Sequence, residues 1–376
     1  MLRISFPANS RQARTLATQI EVDSTPLSFV VLIAAALLAG LLFIFTLFVG
    51  INILPGKSDN SFWRHMADTS DDDQAHVMGK VLSGDAAHAD IVILGTSATR
   101  EALLLDEQLE EKLAPRRSSP LSIMNLATSA QSPIESLFLT DTLEPQSGQV
   151  FLLFVSIISL QQSIPFDRIE HGVFLRPPET IIEKYARRDI FPTKWQQQSK
   201  RVLYRIRAAR AELYRHLHFR LKYWIQEVIY GKSSPHYSPY LYIGKPSAQP
   251  EAKRAQIDAH QVRFQQHQLS NLIYLKNSLD VLASFLSQRK CRLVIATPPE
   301  FDHEMRNAFP SEFQLFNSII QNLRVTHPIE LVNFNDEITW SPGDFVDLIH
   351  VTQPGRDRWS EALVTWLSKQ PERTAN

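Results

Sequence analysis

The amino-acid sequence predicts an α/β domain built on a doubly wound parallel sheet of about five strands, with a helical insertion and one N-terminal transmembrane helix. Three observations support this fold class. Short apolar runs alternate with helical patterns beyond residue 90, this alternation stops between residues 159 and 259, and an uncharged stretch lies near the N-terminus. The chain of 376 residues, 44% of them hydrophobic, can bury one sizeable core and still carry an insertion.

The uncharged stretch covers residues 29–51, which are 23 consecutive residues without a charged side chain. At about 1.5 Å per residue a helix of this length crosses a hydrocarbon layer of about 30 Å. The alternative is a cleaved signal peptide, but its apolar region is usually shorter and no small-x-small site precedes Pro55-Gly56. We predict a retained transmembrane anchor that follows a cytoplasmic tail of residues 1–28.

The positive residues on either side of the span predict its orientation. Arg3, Arg11 and Arg14 precede it, whereas Lys57 and Arg64 follow it, and only Lys and Arg count in this comparison. The balance of three to two places the N-terminus inside the cytoplasmic membrane. The large domain is then expected on the outside, at the periplasmic or extracellular face.

An acidic linker is predicted over residues 52–89, with no regular structure of its own. Asp71 to Asp73 together with His76 could bind a metal, but a solvated acidic linker explains them better. Lys and Arg number 39 against 39 Asp and Glu, so the overall charge is balanced. A balanced charge gives no reason to expect a nucleic-acid partner. The single cysteine, Cys291, excludes an intrachain disulfide and a cysteine-based metal cluster. We predict no cofactor and no metal.

Beyond the linker, the predicted sheet domain has two parts, residues 90–158 and 260–370, followed by a short tail, residues 371–376. Apolar runs predict five strands, at residues 91–94, 121–126, 150–155, 292–297 and 329–334. Helical patterns lie between and after them, at residues 101–113, 134–143, 260–288, 311–324 and 354–367. In such a sheet ligands bind at the carboxyl ends of the strands.

The insertion, residues 159–259, contains one amphipathic and strongly basic segment. Residues 200–222 include eight Lys or Arg residues against one acid, Glu212. A solvated face of a packing helix and a surface for anionic lipid, an anionic polymer or a membrane partner are both consistent with this charge. Arg205, Arg210 and Arg220 are the candidates for the second interpretation. The apolar residues at helical spacing are Val202, Ile206, Leu213, Leu217, Leu221, Trp224 and Val228.

Gly95-Thr96-Ser97 follows the first predicted strand directly, so Ser97 is expected at the carboxyl edge of the sheet. Gly95 allows a tight turn there without a Cβ clash. The helix that follows offers free N–H groups, such as that of Ala98, to a developing oxyanion. A helix N-cap is the simpler explanation for Ser97, and Thr96 could serve as that cap equally well.

Asp347 and His350 lie on the loop between the last predicted strand and the last helix. A carboxylate three residues before a histidine can hold the imidazole N–H and fix its tautomer. The same spacing occurs at Asp73/His76 and Asp85/His88, so the spacing alone carries little weight. What distinguishes Asp347 and His350 is a position from which the loop returns to the sheet edge that carries Ser97. We expect these polar residues at or near the surface.

In these two motifs and in the order of its elements from residue 91 to about 367, the sequence resembles the SGNH, or GDSL-type, hydrolase superfamily, whose sheet is flavodoxin-like. The resemblance implies Ser97 as nucleophile, His350 as general base and Asp347 as the acid that orients it. It also marks a departure, because the family's usual aspartate before the serine is Thr96 in this sequence. This departure is seen among divergent, membrane-linked members.

The family's oxyanion donors are also replaced. Residues 125–130 lack the family's glycine after the second strand, so the backbone of Ala127 or Ala130 would have to serve. The family's asparagine after the third strand is missing, and Ser156 or Ser159 could substitute, although both also fit as ordinary loop serines. Loss of one oxyanion donor typically lowers the rate by about 10²–10³. The site is therefore expected to be slow, to recruit another donor or to be inactive.

The resemblance implies acyl-ester chemistry, with transfer of an acyl group to water or to a sugar hydroxyl. Single-pass SGNH-like proteins outside the cytoplasmic membrane often act on an envelope polysaccharide beside a membrane-bound O-acyltransferase, which is the partner implied here. By this family analogy we expect an esterase or O-acyltransferase of the cell envelope. Two alternatives remain: a catalytically silent scaffold or binding subunit of an envelope assembly, and a tethered lipase or esterase for soluble substrates.

Overall fold

The computed structural model describes residues 31, 33–42, 73–161, 240–242, 244–247, 250–266, 269–300 and 302–371. The chain divides into two compact units, Met1–Leu54 and Pro55–Asn376. In the first unit, residues 31 and 33–42 are helical, and the rest of the predicted anchor lies outside the described residues. Within the described ranges, no helix is both long and apolar enough to cross a membrane.

The second unit contains a five-stranded sheet in which neighbouring strands are all parallel, in the order β2-β1-β3-β4-β5. The predicted α/β sheet is therefore confirmed. Each strand lies within its predicted run. β1 has the predicted bounds, and the other four strands are one to three residues shorter than predicted. The strands are β1 (Ile91–Leu94), β2 (Ile123–Asn125), β3 (Val150–Phe154), β4 (Arg292–Ala296) and β5 (Ile329–Val332).

Helices cover both faces of this sheet. Along β1, Val92 and Leu94 belong to one core cluster, whereas Ile91 and Ile93 belong to the other. This alternation follows from the strand period of two residues. It explains why β1 and β3 are apolar throughout, because every residue of these two strands is buried. The described helices are α1 (Asp73–Leu82), α2 (Asp85–His88), α3 (Ser97–Ala102), α4 (Asp106–Leu113), α5 (Pro133–Leu143), α6 (Pro250–Gln266), α7 (Leu269–Gln288), α8 (Asp302–Ala308), α9 (Pro310–Thr326) and α10 (Gln353–Ser368).

The predicted irregular linker is wrong from residue 73 onward. Residues 73–82 form α1, whose apolar residues Val77, Met78, Val81 and Leu82 are buried in the core beside the sheet. These four residues recur at the three- and four-residue spacing of one helix face. The helix begins with an acidic residue and carries Lys80 in its last turn, as the helix dipole favours.

Two predicted helices have different bounds. The helix predicted over residues 101–113 begins earlier, at Ser97, and is divided in two by an extended Leu103. The predicted long helix over residues 260–288 begins within the predicted insertion, as α6, and continues as α7. The remaining part of the insertion, from residue 162 to 239, lies outside the described residues, and so does its predicted basic helix.

Candidate active site

Ser97 is the first residue of α3 and follows β1 after a turn of two residues, Gly95 and Thr96. A Cβ atom added to Gly95 would lie 2.5 Å from Oγ1 of Thr99 and 3.0 Å from Cβ of Phe154. No side chain fits at that distance, so the turn requires glycine. The N–H of Gly95 donates to Oε1 of the buried Gln131 at 2.6 Å, which fixes the backbone just before Ser97.

The loop that carries Asp347 and His350 is closed by a short antiparallel bridge between Phe345 and Val351. Inside this bridge, the N–H of Val346 donates to the carbonyl oxygen of His350 at 2.8 Å. These backbone hydrogen bonds hold the loop in one conformation. They therefore fix the backbone positions from which the side chains of Asp347 and His350 extend.

The base of this loop is held by α10. A Cβ atom added to Gly355, in the first turn of α10, would lie only 2.2 Å from the carbonyl oxygen of Asp344. The N–H of Thr352 donates to that same oxygen at 2.8 Å. Only glycine permits such close contact. This contact and the hydrogen bond from Thr352 together hold the base of the loop against the start of α10.

Ser97, His350 and Asp347 form a continuous chain of hydrogen bonds. Oγ of Ser97 lies 3.0 Å from Nε2 of His350, and Nδ1 of His350 lies 2.7 Å from Oδ2 of Asp347. The other oxygen of Asp347 accepts the backbone N–H groups of Ile349 at 2.9 Å and of His350 at 2.7 Å. With Asp347 ionised, Nδ1 must donate, which leaves Nε2 free to accept the proton of Ser97.

The environment of Asp347 favours its charged form. Burial by itself would raise the pKa of the Asp347 carboxyl, but the hydrogen bond and charge of His350, together with the two backbone N–H groups, lower that pKa below its ordinary value of 3.8. A carboxylate that is charged at neutral pH can stabilise an imidazolium on His350. His350 is 8% exposed and therefore lies just below the surface, whereas Ser97 and Asp347 are half-buried.

The predicted oxyanion donors differ in what their backbone already binds. Ala98 is the second residue of α3, so its N–H belongs to the first turn, where no helical carbonyl can accept it. The N–H of Ala127 donates to Oδ1 of Asn125 at 3.0 Å, and Ala127 could serve an oxyanion only if Asn125 moved. Ala130 is exposed and has a left-handed backbone with a φ of 52°.

Ser156 and Ser159 follow β3 and are both buried. Oγ of Ser156 accepts the N–H of Ile158 at 3.2 Å, and the N–H of Ser159 donates to the carbonyl oxygen of Ser156 at 3.0 Å. Ser156 therefore starts a 3-10 turn, which is the ordinary loop role left open by the sequence. Its hydroxyl hydrogen is still available for donation, so its part in an oxyanion hole stays a prediction.

Two side chains at the site have no local signal in the sequence. The ring of Tyr242, within the predicted insertion, stacks on the imidazole of His350 with 4.1 Å between the ring centroids. The buried carboxylate of Glu101 accepts the backbone N–H groups of Leu241 at 3.2 Å and of Tyr242 at 2.8 Å. Both contacts join residues more than a hundred positions apart, so only the folded chain reveals them.

A third residue, Asp73, was expected in a solvated linker. It instead contacts the helix that begins with Ser97. Its carboxylate pairs with the guanidinium of Arg100 on α3 and accepts the N–H of Ser129 at 2.6 Å. Asp73 thus joins α1 to both α3, the helix that begins with Ser97, and the loop after β2. Among the residues that the structure describes, no group of three or more His, Cys, Asp or Glu side chains is placed to hold a metal ion.

Arg205, Arg210 and Arg220, the candidates for a partner surface, lie outside the described residues. No family model matches the chain, and no curated protein matches it.

Proposed function

We propose that this chain is a serine esterase or O-acyltransferase of SGNH type, with Ser97 as nucleophile, His350 as general base and Asp347 as the residue that orients and stabilises it. The observation that carries the proposal is the 3.0 Å separation between Oγ of Ser97 and Nε2 of His350. This distance is within hydrogen-bond reach of a base that must remove the hydroxyl proton during attack.

The proposed chemistry has two steps. Oγ of Ser97 attacks an ester carbonyl while Nε2 of His350 takes its proton, and the alcohol then leaves with that proton as the acyl group stays on Ser97. Water or a sugar hydroxyl attacks the acyl-enzyme next, again with His350 as base, and Ser97 is released. The helix N-terminus at Ser97 and Ala98 offers backbone N–H groups for the oxyanion of each step.

The proposed substrate is an envelope polysaccharide that either receives or loses an acyl group, with the domain outside the cytoplasmic membrane and a membrane-bound O-acyltransferase as partner. The support is the uncharged stretch of 23 residues at 29–51 together with the resemblance of the site motifs to membrane-linked SGNH proteins. The same triad would serve either reaction. In removal, the polysaccharide ester donates the acyl group and water accepts it; in transfer, a separate acyl ester donates the group and a sugar hydroxyl of the polysaccharide accepts it.

The first test is covalent labelling of the full chain with a fluorophosphonate probe. We expect one adduct, found at Ser97 by peptide mass spectrometry, and no adduct in Ser97→Ala or His350→Ala. Ser318→Ala, which changes an exposed serine hydroxyl on α9, is the matched control and should label like the wild type. Labelling that persists in Ser97→Ala would remove Ser97 from the role of nucleophile.

A second candidate function is a catalytically silent scaffold or binding subunit of an envelope assembly. The observation that favours it is the occupied N–H of Ala127, which donates to Asn125 where an oxyanion donor is needed. A folded wild-type chain that gives no adduct at Ser97 after extended incubation with the probe would favour this candidate over the enzyme.

A further inference from the structure

Residues 240–242 cross the site and are tied to the segment that carries Ser97; we call them the strap. The hydroxyl of Tyr240 donates to the carbonyl oxygen of Leu103, at the end of α3, at 2.9 Å. The guanidinium of Arg356 lies over the Tyr240 ring, 4.5 Å from its centroid. Burial raises the pKa of Tyr240 to about 12, so its hydroxyl keeps its proton and remains a donor at neutral pH.

Glu101 holds the next two residues of the strap. Its Oε2 accepts the N–H groups of Leu241 and Tyr242, while its Oε1 pairs with Arg100 at 3.1 Å. Glu101 is 0% exposed, so these hydrogen bonds form where water cannot replace them. Since Glu101 lies four residues after Ser97 on α3, the helix that presents the nucleophile also holds the strap.

The strap places the ring of Tyr242 against His350. The planes of the two rings differ by only 10°, with 4.1 Å between their centroids. These contacts close a ring of interactions. Ser97 and Glu101 both lie on α3, and Glu101 accepts the N–H of Tyr242. Tyr242 stacks on His350, which lies within hydrogen-bond distance of Ser97.

This stacking controls a motion that the triad's own hydrogen bonds leave open. The N–H and the nitrogen lone pair of an imidazole lie in the plane of its ring. Hydrogen bonds at the two nitrogens, to Asp347 and Ser97, therefore restrain the ring poorly against tilting about the line that joins those nitrogens. A parallel aromatic face restrains that tilt. The same face attracts the imidazolium that forms when His350 accepts a proton, because the ring quadrupole is negative on its faces.

We propose that Tyr242 is a positioning residue for His350 and that Glu101 sets its place, so that the predicted insertion supplies part of the active site. This inference rests on the proposed function, since it takes His350 as the base. Tyr242 acts through His350 and needs no contact with the substrate.

The test uses the full chain with Tyr242→Leu, Tyr242→Phe and a control, Tyr274→Leu, which changes another half-buried tyrosine, on α7. One readout needs no activity: the rate at which diethyl pyrocarbonate modifies His350, followed by peptide mass spectrometry. The other is the rate of fluorophosphonate labelling at Ser97. Tyr242→Leu should speed modification of His350 and slow labelling of Ser97 by about 10-fold, since a small misplacement of a catalytic group is costly.

Tyr242→Phe keeps the stacked ring and should restore most of both rates, while Tyr274→Leu should match the wild type. Glu101→Ala should reproduce the effects of Tyr242→Leu, provided that its thermal unfolding remains cooperative. Unchanged modification of His350 in Tyr242→Leu would overturn the positioning role. If the wild type labels at Ser97, faster modification of His350 with labelling at the wild-type rate would overturn it as well. If even the wild type gives no label while Tyr242→Leu still speeds modification of His350, the contact stands and the proposed enzyme function fails.

Discussion

Arg100, on the helix that begins with Ser97, is paired with Asp73 at the start of α1. The guanidinium is almost wholly buried and has two further partners, the carboxylate of Glu101 at 3.1 Å and Oγ of Ser129 at 3.0 Å. A buried cation needs such partners because its desolvation is costly. The pair therefore links the start of α1 with the helix that begins with Ser97.

Asp73→Ala should lower the free energy of unfolding by about 2 kcal/mol, since it removes one partner of a buried charge and leaves the N–H of Ser129 without its acceptor. Chemical denaturation of the full chain measures this. Asp258→Ala, at an exposed position on α6, is the matched control and should change stability by less than about 0.5 kcal/mol. Equal stability of Asp73→Ala and the control would show that the ion pair does not support the fold.

Asp347→Asn should alter how stability depends on pH. The folded state lowers the pKa of Asp347 below its ordinary value of 3.8, so this carboxylate stabilises the fold fully above that value, and the contribution is lost as pH falls through the lower folded pKa. The difference in unfolding free energy between wild type and Asp347→Asn should thus be larger near neutral pH than in strong acid. Urea titrations across that range measure it, with Asp357→Asn at an exposed position as control. A difference that grows on acidification would contradict the lowered pKa.

A reporter fused after Asn376 tests the predicted orientation of the chain. The three arginines before residues 29–51, against two basic residues after them, predict that the C-terminal domain lies outside. A reporter active only outside the cytoplasm should therefore be active, and one active only in the cytoplasm should be silent. The reverse result would remove the extracytoplasmic placement and the proposed envelope substrate with it.

Reversing Arg205, Arg210 and Arg220 to Glu tests the predicted basic surface at residues 200–222. If this segment meets an anionic surface, the triple variant should bind vesicles of anionic phospholipid more weakly, and the difference should shrink at high salt because screening weakens charge attraction. Reversal of Arg254 and Arg263, both exposed on α6, is the control. Unchanged binding would support the solvated-face interpretation.

The sequence predicts the sheet well because its strands are short, mostly apolar runs bounded by helical patterns, and β1 and β3 are buried along their whole length. It also places Ser97 and the pair Asp347 and His350 at one sheet edge, since carboxyl ends of parallel strands share an edge. It fails at α1, where three consecutive aspartates suggest a solvated linker although Val77 and Val81 lie on one helix face.

The contacts of Tyr242 and Glu101 could not be predicted in this way. No periodic pattern or turn signal links residues 140 positions apart, and the contact depends on where the insertion returns to the sheet domain. The break after Ala102 has the same origin, because neither Gly nor Pro marks it and the Leu103 carbonyl is bound by the distant Tyr240. Tertiary contacts override the local helix preference there.

The most direct measurement is the turnover of a short-chain aryl ester by the full chain and its triad variants. Ser97 and His350 act as one unit in the proposed chemistry, so Ser97→Ala, His350→Ala and the double variant should be equally inactive, each reduced by about 10³-fold or more. Asp347→Asn should retain more activity than these three, because Asp347 orients and stabilises the imidazole without taking part in the attack. A folded Ser97→Ala variant that turns over the ester at the wild-type rate would contradict the assignment of Ser97 and, with it, the proposed enzyme.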